Sequence, residues 1–453
     1  MGTLFLGLFV AAEIALVVLT CTKFREKAAW LKNRAFIRTA ELVLLLGIIL
    51  VPTTNFKWRF FGALAVIAVR SIFALIMWLA KRKRAEGNKK IGWSVVNCIM
   101  SFILVSVSLM PAFIFTNYNG LPLSGEYKVN ETSAILVDEN RKDEFENDGS
   151  FREVPAHFFY PETESGNFPL IVFSHGAFGY YQSNFSTYME LASNGYVVVA
   201  LDHPHHSFFT EDTDGQTVIV DSTFIEDVMK LSNGETSSLD KEVFDIAQSW
   251  LKLRVDDENF VIDTIEAAKD SKTLSKAWHT ENAKTILGVL AKTDTNKIGL
   301  VGHSLGGATG VTVGRQRKDI DAVIDLDGTM FGEIVDVKNR KNVYYTEPYP
   351  VPVLDFTKEK DYNDREQYKK ENGFAYVNEY VMKNAKEGKT VTFSNVEHMD
   401  FTDLPLISPF IGSMLGHGDA DSEKCMTTVN GIVLNWFDYY LKNEGKLDIQ
   451  AKY

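Results

Sequence analysis

Four apolar stretches crowd into the first 116 residues, at 3–20, 40–52, 60–80 and 91–115, each bounded by polar or basic residues. Three of them match or approach the roughly 20 residues with which a helix crosses a hydrocarbon core, and the second does so if it extends over about 36–54. Buried helices of a soluble domain seldom lack a polar face over such lengths. The pattern predicts an all-α, four-helix transmembrane domain over residues 1–116.

Charge supplies an orientation. Residues 1–116 carry 15 Lys/Arg against 4 Asp/Glu, whereas residues 117–453 carry 32 against 55. The chain's net charge of −12 is thus the sum of +11 and −23. The basic residues gather after the first stretch (Lys23, Arg25, Lys27, Lys32, Arg34, Arg38) and after the third (Lys81, Arg82, Lys83, Arg84, Lys89, Lys90). The link between the second and third holds only Lys57 and Arg59. Positive residues stay cytoplasmic, so a multi-pass protein of the cell membrane is expected, with everything after Phe115 extracytoplasmic. Trp30, Trp58, Trp78 and Trp93 fall near stretch ends, as an interfacial belt would place them. The first stretch lacks the basic flank of a cleaved signal peptide, and Leu6 stands where myristoylation needs Ser or Thr. Glu13 and Arg70 lie near mid-stretch at similar depth; an unpaired charge there is costly, so the two are expected to pair inside the bundle.

Beyond an acidic linker at 117–150, with an edge strand near 133–137, the pattern changes to short β-rich runs between polar, helix-compatible segments. Candidate strands are 156–160, 170–174, 196–201, 297–302, 322–326, 351–356 and 390–394. Several are nearly continuous in Val, Ile and Leu, which suits a mostly parallel sheet covered on both faces. Residues 151–453 therefore read as one α/β domain. The insertion at about 209–296 is far longer than a crossover needs. A helix at 255–269 accounts for part of it. The rest, with Trp250 and Trp278, reads as a cap over a pocket, while the charge-rich 212–241 reads equally as a solvated loop.

Gly302-His303-Ser304-Leu305-Gly306 follows an apolar run and opens a helix-compatible one. That context identifies the nucleophile elbow of an α/β-hydrolase fold, in which small residues at 302 and 306 free a tight strand-to-helix turn of clashes. Ser304 is the candidate nucleophile. A serine needs a general base oriented by a third group, and His398, just after the last strand, is that base; His417 reads as a surface loop residue. The acid is Asp327 or Asp361, each at the end of a strand. Backbone N–H groups of Leu305 and Ala177 are the candidate oxyanion donors. His175, Phe178, His203, His205 and His303 are candidate pocket-lining residues. The His203, His205, His206 cluster has no nearby Cys, and a serine mechanism needs no metal, so no metal and no cofactor are expected. Cys425 is the only cysteine after residue 116, so no disulfide forms within this domain. Phosphate-loop and dinucleotide motifs are lacking, and an acidic outer domain argues against nucleic acid.

These residues resemble the platelet-activating factor acetylhydrolases, calcium-independent serine phospholipases of the α/β-hydrolase fold. The resemblance covers about residues 150–442. It rests on Phe173-Ser174-His175-Gly176, on Gly302–Thr309, on Arg254-Val255-Asp256-Asp257 with Phe260–Asp263, on Glu397-His398 with Phe401-Thr402-Asp403, and on Gly416–Asp421 with the helix 429–441. It implies that the acid is the residue matched by Asp327. Ala177-Phe178 and Asp202-His203-Pro204-His205-His206 depart from the family's pattern at the expected pocket, so substrate identity does not carry over. The resulting expectation is a membrane-tethered esterase, lipase or phospholipase whose partners are the bilayer and an acyl ester or lipid substrate. The alternatives are a serine peptidase or amidase of the same fold, or a non-enzymatic membrane sensor with a hydrolase-like ligand-binding domain.

Overall fold

A computed structural model describes residues 2–22 and 25–453; Lys23, in the first basic connection, lies outside the described residues. The chain forms two compact units, Met1–Gly120 with Pro405–Met414, and Leu121–Leu404 with Leu415–Tyr453.

The first unit is helical: α1 (Gly2–Leu19), α2 (Lys27–Leu50), α3 (Phe61–Lys81) and α4 (Ile91–Ser108). Phe5, Phe9, Leu45, Ile49, Phe60, Ile67 and Val105 form its core. Large apolar side chains also face outward, among them Val69, Ile72 and Ile76 of α3 and Ile99, Met100 and Ile103 of α4. That is the inverse of a water-soluble bundle, whose outer faces are polar. Three helical segments, Gly2–Leu19, Lys57–Lys81 and Ile91–Ser108, are long and apolar enough to cross a membrane.

The remaining helix, α2, departs from expectation. It begins at Lys27, so Lys27, Lys32, Arg34 and Arg38 belong to a helix rather than to a loop. The reason is a second periodicity: Trp30, Leu31, Ala35 and Arg38 share a buried face. Arg38 is only 3 % exposed and bonds to Glu13, with Glu41 3.0 Å away. The Glu13–Arg70 pair forms at 2.6 Å. Pro405–Met414 joins this unit through Thr116, whose N–H donates to the Ile407 carbonyl at 2.8 Å.

The second unit is built on a nine-stranded sheet: β1 (Val129–Lys142), β2 (Phe151–Pro161), β3 (Phe168–Ser174), β4 (Val197–Leu201), β5 (Trp278–His279), β6 (Thr293–His303), β7 (Ile320–Leu326), β8 (Val353–Lys358) and β9 (Gly388–Phe393). Their order is β9-β8-β7-β6-β3-β4-β2-β1-β5. The six strands β3, β4 and β6 to β9 pair in parallel, and β1, β2 and β5 pair antiparallel. Every residue of β3 and β4 is buried, as expected of strands covered on both faces. Trp278, expected in a cap, instead pairs with Leu136 at the sheet edge and packs on Phe158 at 6.1 Å between centroids. The insertion supplies α5 (Ser222–Ser232) and α6 (Lys241–Ala268), the latter starting well before residue 255. The helix α7 (Leu305–Gln316) follows β6.

Candidate active site

Three loops at the carboxyl ends of parallel strands bring the candidate residues together, the usual location of ligand sites in open α/β sheets. Ser304 joins β6 to α7 with φ 56° and ψ −121°, a strained conformation for a residue with a side chain. The sharpness of this turn dictates its neighbours. A Cβ on Gly302 would lie 2.3 Å from Gly306 backbone, and one on Gly306 would lie 2.0 Å from the Ser174 carbonyl oxygen. Asp327 follows β7, also at positive φ (55°), and its N–H donates to the Phe356 carbonyl at 3.0 Å. His398 follows β9, and its Nδ1 lies 2.7 Å from Asp327 Oδ2. Nδ1–H donating there leaves Nε2 as the acceptor.

Ser304, Leu305, Ala177, Asp327 and His398 border one cavity of about 600 Å³. Val228 and Leu231 of α5, with Phe244, Ala247 and Trp250 of α6, supply an apolar side. Lys358, Asp361, Arg365, Tyr376 and Asn378 supply a polar one. The segment that read equally as cap or loop therefore contributes directly to the cavity wall. Asp361 does border it, but half-exposed and 2.9 Å from Lys358 Nζ rather than on the histidine.

The five residues expected to line the pocket lie elsewhere. His175 and His203 are fully buried behind the 174–179 loop. His175 Nδ1 faces the Gly176 carbonyl at 2.6 Å, and His203 Nε2 accepts from Ser174 Oγ at 2.9 Å. Phe178 packs edge-on against Phe224, 5.3 Å between centroids. His205 borders a separate, acidic cavity with Asp143 and Glu146. His303 sits behind the base: its Nε2–H donates to the His398 carbonyl at 3.1 Å, and burial together with the His398 charge holds its imidazole well below its ordinary pKa. None of the five borders the Ser304 cavity, to which the 174–179 loop contributes Ala177. His417, expected at the surface, is mostly buried and bonds to Asp400. Among the described residues no group of three or more His, Cys, Asp or Glu is arranged to hold a metal ion.

The sequence reading assigned no role to a buried ionic network behind the oxyanion loop. Arg254 donates to the carbonyls of His175 and Gly176, and its Nε lies 3.3 Å from His206 Nδ1. With both carbonyls held from behind, the next N–H, that of Ala177, is left on the cavity side. Asp257, one turn on, accepts from His203 Nδ1 at 3.0 Å and from two nitrogens of Arg152 at 2.8 and 3.1 Å. Burial pushes the Asp257 carboxyl up, but Arg152 and His203 outweigh it and hold the group well below the carboxylate range. Burial pulls His203 down to about 4 and Arg254 down to about 9. A sequence signal existed: Arg254 falls on the stripe Leu251, Val255, Ile262, Ile265 that α6 buries, where a charge must have partners. Beneath the elbow, Asp325 Oδ1 accepts the Gly328 N–H at 2.9 Å, and burial beside Asp355 raises this carboxyl well above its ordinary range.

Comparison with known proteins agrees with this architecture. The family described as platelet-activating factor acetylhydrolase, isoform II, matches residues 152–450. The platelet-activating factor acetylhydrolase of Cavia porcellus is 26 % identical over 309 residues, covering 65 % of this chain and 63 % of its own. That of Canis lupus familiaris is 25 % identical over 301 residues, covering 63 % and 60 %. The match thus spans about three fifths of the length of these relatives. A ferulic acid esterase from Streptomyces cinnamoneus superposes with a TM-score of 0.52 at 20 % identity, over 73 % of this chain and 95 % of the esterase, which shares the fold. With the match running from β2 to the C-terminal helix, the chain belongs to the platelet-activating factor acetylhydrolase, isoform II, family.

Proposed function

We propose that this protein is a membrane-tethered serine hydrolase of carboxylic esters, acting on an acyl ester or lipid, with its catalytic unit outside the cytoplasm. The observation that carries the reading is the 2.7 Å contact between His398 Nδ1 and Asp327 Oδ2 beside an elbow serine on the same cavity. Ser304 Oγ attacks the ester carbonyl while His398 Nε2 takes its proton. Asp327 fixes the tautomer and stabilises the imidazolium. The tetrahedral oxyanion is held by the N–H groups of Leu305 and Ala177. Collapse breaks the C–O bond, and His398 returns the proton to the leaving alcohol. Water then attacks the acyl-enzyme, giving its proton to the same base, and the acid leaves as Ser304 regains its hydrogen. The apolar wall from Val228 to Trp250 suits an acyl chain, and the wall bearing Lys358 and Arg365 suits a polar headgroup.

Three apolar helical segments support the membrane part of the reading. The grouping of Lys81–Arg84 with Lys89 and Lys90 after the third stretch supports the orientation. A membrane-impermeant fluorophosphonate probe on intact cells tests nucleophile and topology together. Labelling of the parent protein and none of Ser304→Ala is the expected result. Labelling only after permeabilisation reverses the orientation, and equal labelling of both proteins removes Ser304 from its role. Comparing a phospholipid with aminoacyl amides separates an esterase from an amidase.

A further inference from the structure

The helical unit contains a cavity of about 290 Å³ whose border includes Glu13, Trp30, Arg34, Arg38, Arg70 and Ser101, with Asn97 beside them. A bundle serving only as an anchor has no use for such a space. The charges of the network around it do not balance: three guanidinium groups are set against Glu13, which borders the cavity, and Glu41, which pairs with Arg38 outside that border, leaving one positive charge in excess. Glu13 is shared by Arg38 and Arg70. Arg34 has no carboxylate within ion-pairing distance among the described residues; its guanidinium rests 5.5 Å from the Trp30 ring centroid and 5.7 Å from that of Phe73. Two donors are unmet although almost wholly buried. Among the described residues Arg38 Nε and Trp30 Nε1 have no hydrogen-bond partner, in residues that are 3 % and 5 % exposed. Natural proteins rarely leave buried donors unsatisfied unless something else satisfies them.

We propose that this cavity binds a singly charged phosphate-type oxyanion, either the phosphodiester of a lipid headgroup or free inorganic phosphate. A monoanion cancels the excess charge, where a neutral or doubly charged ligand does not. The planar guanidinium fork matches a phosphate's paired oxygens. Asn97 and the Ser101 hydroxyl, which already accepts from Arg70, add neutral donors. The volume is at the lower end of the roughly 300–1,000 Å³ usual for ligand pockets, room for a headgroup but not for its acyl chains. The site is distinct from the Ser304 cavity, and only its lipid source rests on the membrane reading given above.

Two arms distinguish the sources, both using the full chain. In the first, the protein is reconstituted in nanodiscs of mixed phosphatidylglycerol and diacylglycerol, and native mass spectrometry reads which lipid it retains. In the second, inorganic phosphate is titrated calorimetrically into delipidated protein in detergent. Retention of one phosphatidylglycerol per chain without diacylglycerol, or saturable phosphate binding, is expected. Arg34→Gln should weaken either by about tenfold or more, with Arg34→Lys recovering part of the loss. Circular dichroism checks that the variants fold, and Asn97→Ala replaces any that does not. Failure of both ligands to bind, or binding indifferent to Arg34→Gln, overturns the proposal. Alkaline carbonate extraction of cell membranes tests the membrane reading separately: a chain that washes off refutes that reading, while the phosphate arm still decides the cavity.

Discussion

Both units of this protein bury arginine among carboxylates, and they do so to different ends. In the hydrolase unit, Arg152, Asp257, His203 and Arg254 form a closed set in which none of their buried polar atoms lacks a partner. In the helical unit, Arg38, Arg70, Glu13 and Glu41 form an open set, with Arg38 Nε and Glu41 Oε1 unmatched among the described residues and a cavity beside them. A closed network rigidifies what it touches, here the carbonyls of the oxyanion loop; an open one retains binding capacity. Buried charge is thus not one kind of evidence. What separates scaffold from site is whether the donors are used up inside the fold.

The comparison breaks most visibly at the nucleophile. Ser304→Ala should lower turnover of a p-nitrophenyl ester by at least ~10³-fold. It should leave phosphate binding by the helical unit unchanged. A matching fall in both would mean that the two regions do not work independently.

Next in size is removal of the carboxylate at the centre of the closed network. Asp257→Ala leaves Arg152 buried without its main counterion and His203 without its acceptor. Breaking a buried pair from one side costs about 3–5 kcal/mol, so the midpoint of urea unfolding should drop sharply when followed by tryptophan fluorescence. A loss under about 1 kcal/mol would show that the network is no scaffold.

Much of this was legible in the chain, for identifiable reasons. Strands such as 170–174 and 322–326 announce themselves because burial on both faces demands unbroken Val, Ile and Leu, and the elbow is legible because its geometry tolerates few residues at 302 and 306. The two-residue strand Trp278–His279 carries no periodicity, so its tryptophan was misplaced. The start of α2 was hidden by Lys27, Lys32 and Arg34, which mimic a cytoplasmic loop until the buried face of Trp30, Leu31, Ala35 and Arg38 is considered. His175, His203, His205 and His303 do not line the cavity, because a position at the carboxyl end of a strand does not say which side of its loop a side chain takes.

A smaller effect comes from acid. His203 is held neutral down to about 4 by burial and by Arg254, against an ordinary value of 6.5. Between these values the unfolded chain takes up a proton that the folded chain refuses, so the contribution of His203 to stability falls as the pH drops from 6.5 toward 4. Asp257, depressed in the fold, adds to the loss only when the pH falls further, through its unfolded value. Urea midpoints at pH 7, 6, 5 and 4 should decline, and His203→Gln should flatten that decline relative to its own value at pH 7. An unchanged slope would place the acid sensitivity elsewhere, outside the closed network.

The smallest expected effect discriminates between the two carboxylates that sequence spacing left nearly equal. Asp361 is half-exposed and paired with Lys358 at 2.9 Å, and Lys358 has a second carboxylate, Glu397, at 3.5 Å. With its carboxylate open to solvent and its lysine holding a second partner, such a pair contributes about 1 kcal/mol or less. Asp361→Asn should therefore change kcat/KM by less than about threefold, most of it in KM for substrates with charged headgroups, since the freed lysine borders the cavity. Asp327→Asn should instead cost at least ~10²-fold in kcat, because an amide at that position accepts poorly from Nδ1–H and favours the wrong tautomer. Equal losses for the two variants would remove the distinction between a carboxylate that orients the base and one that only neutralises a neighbour.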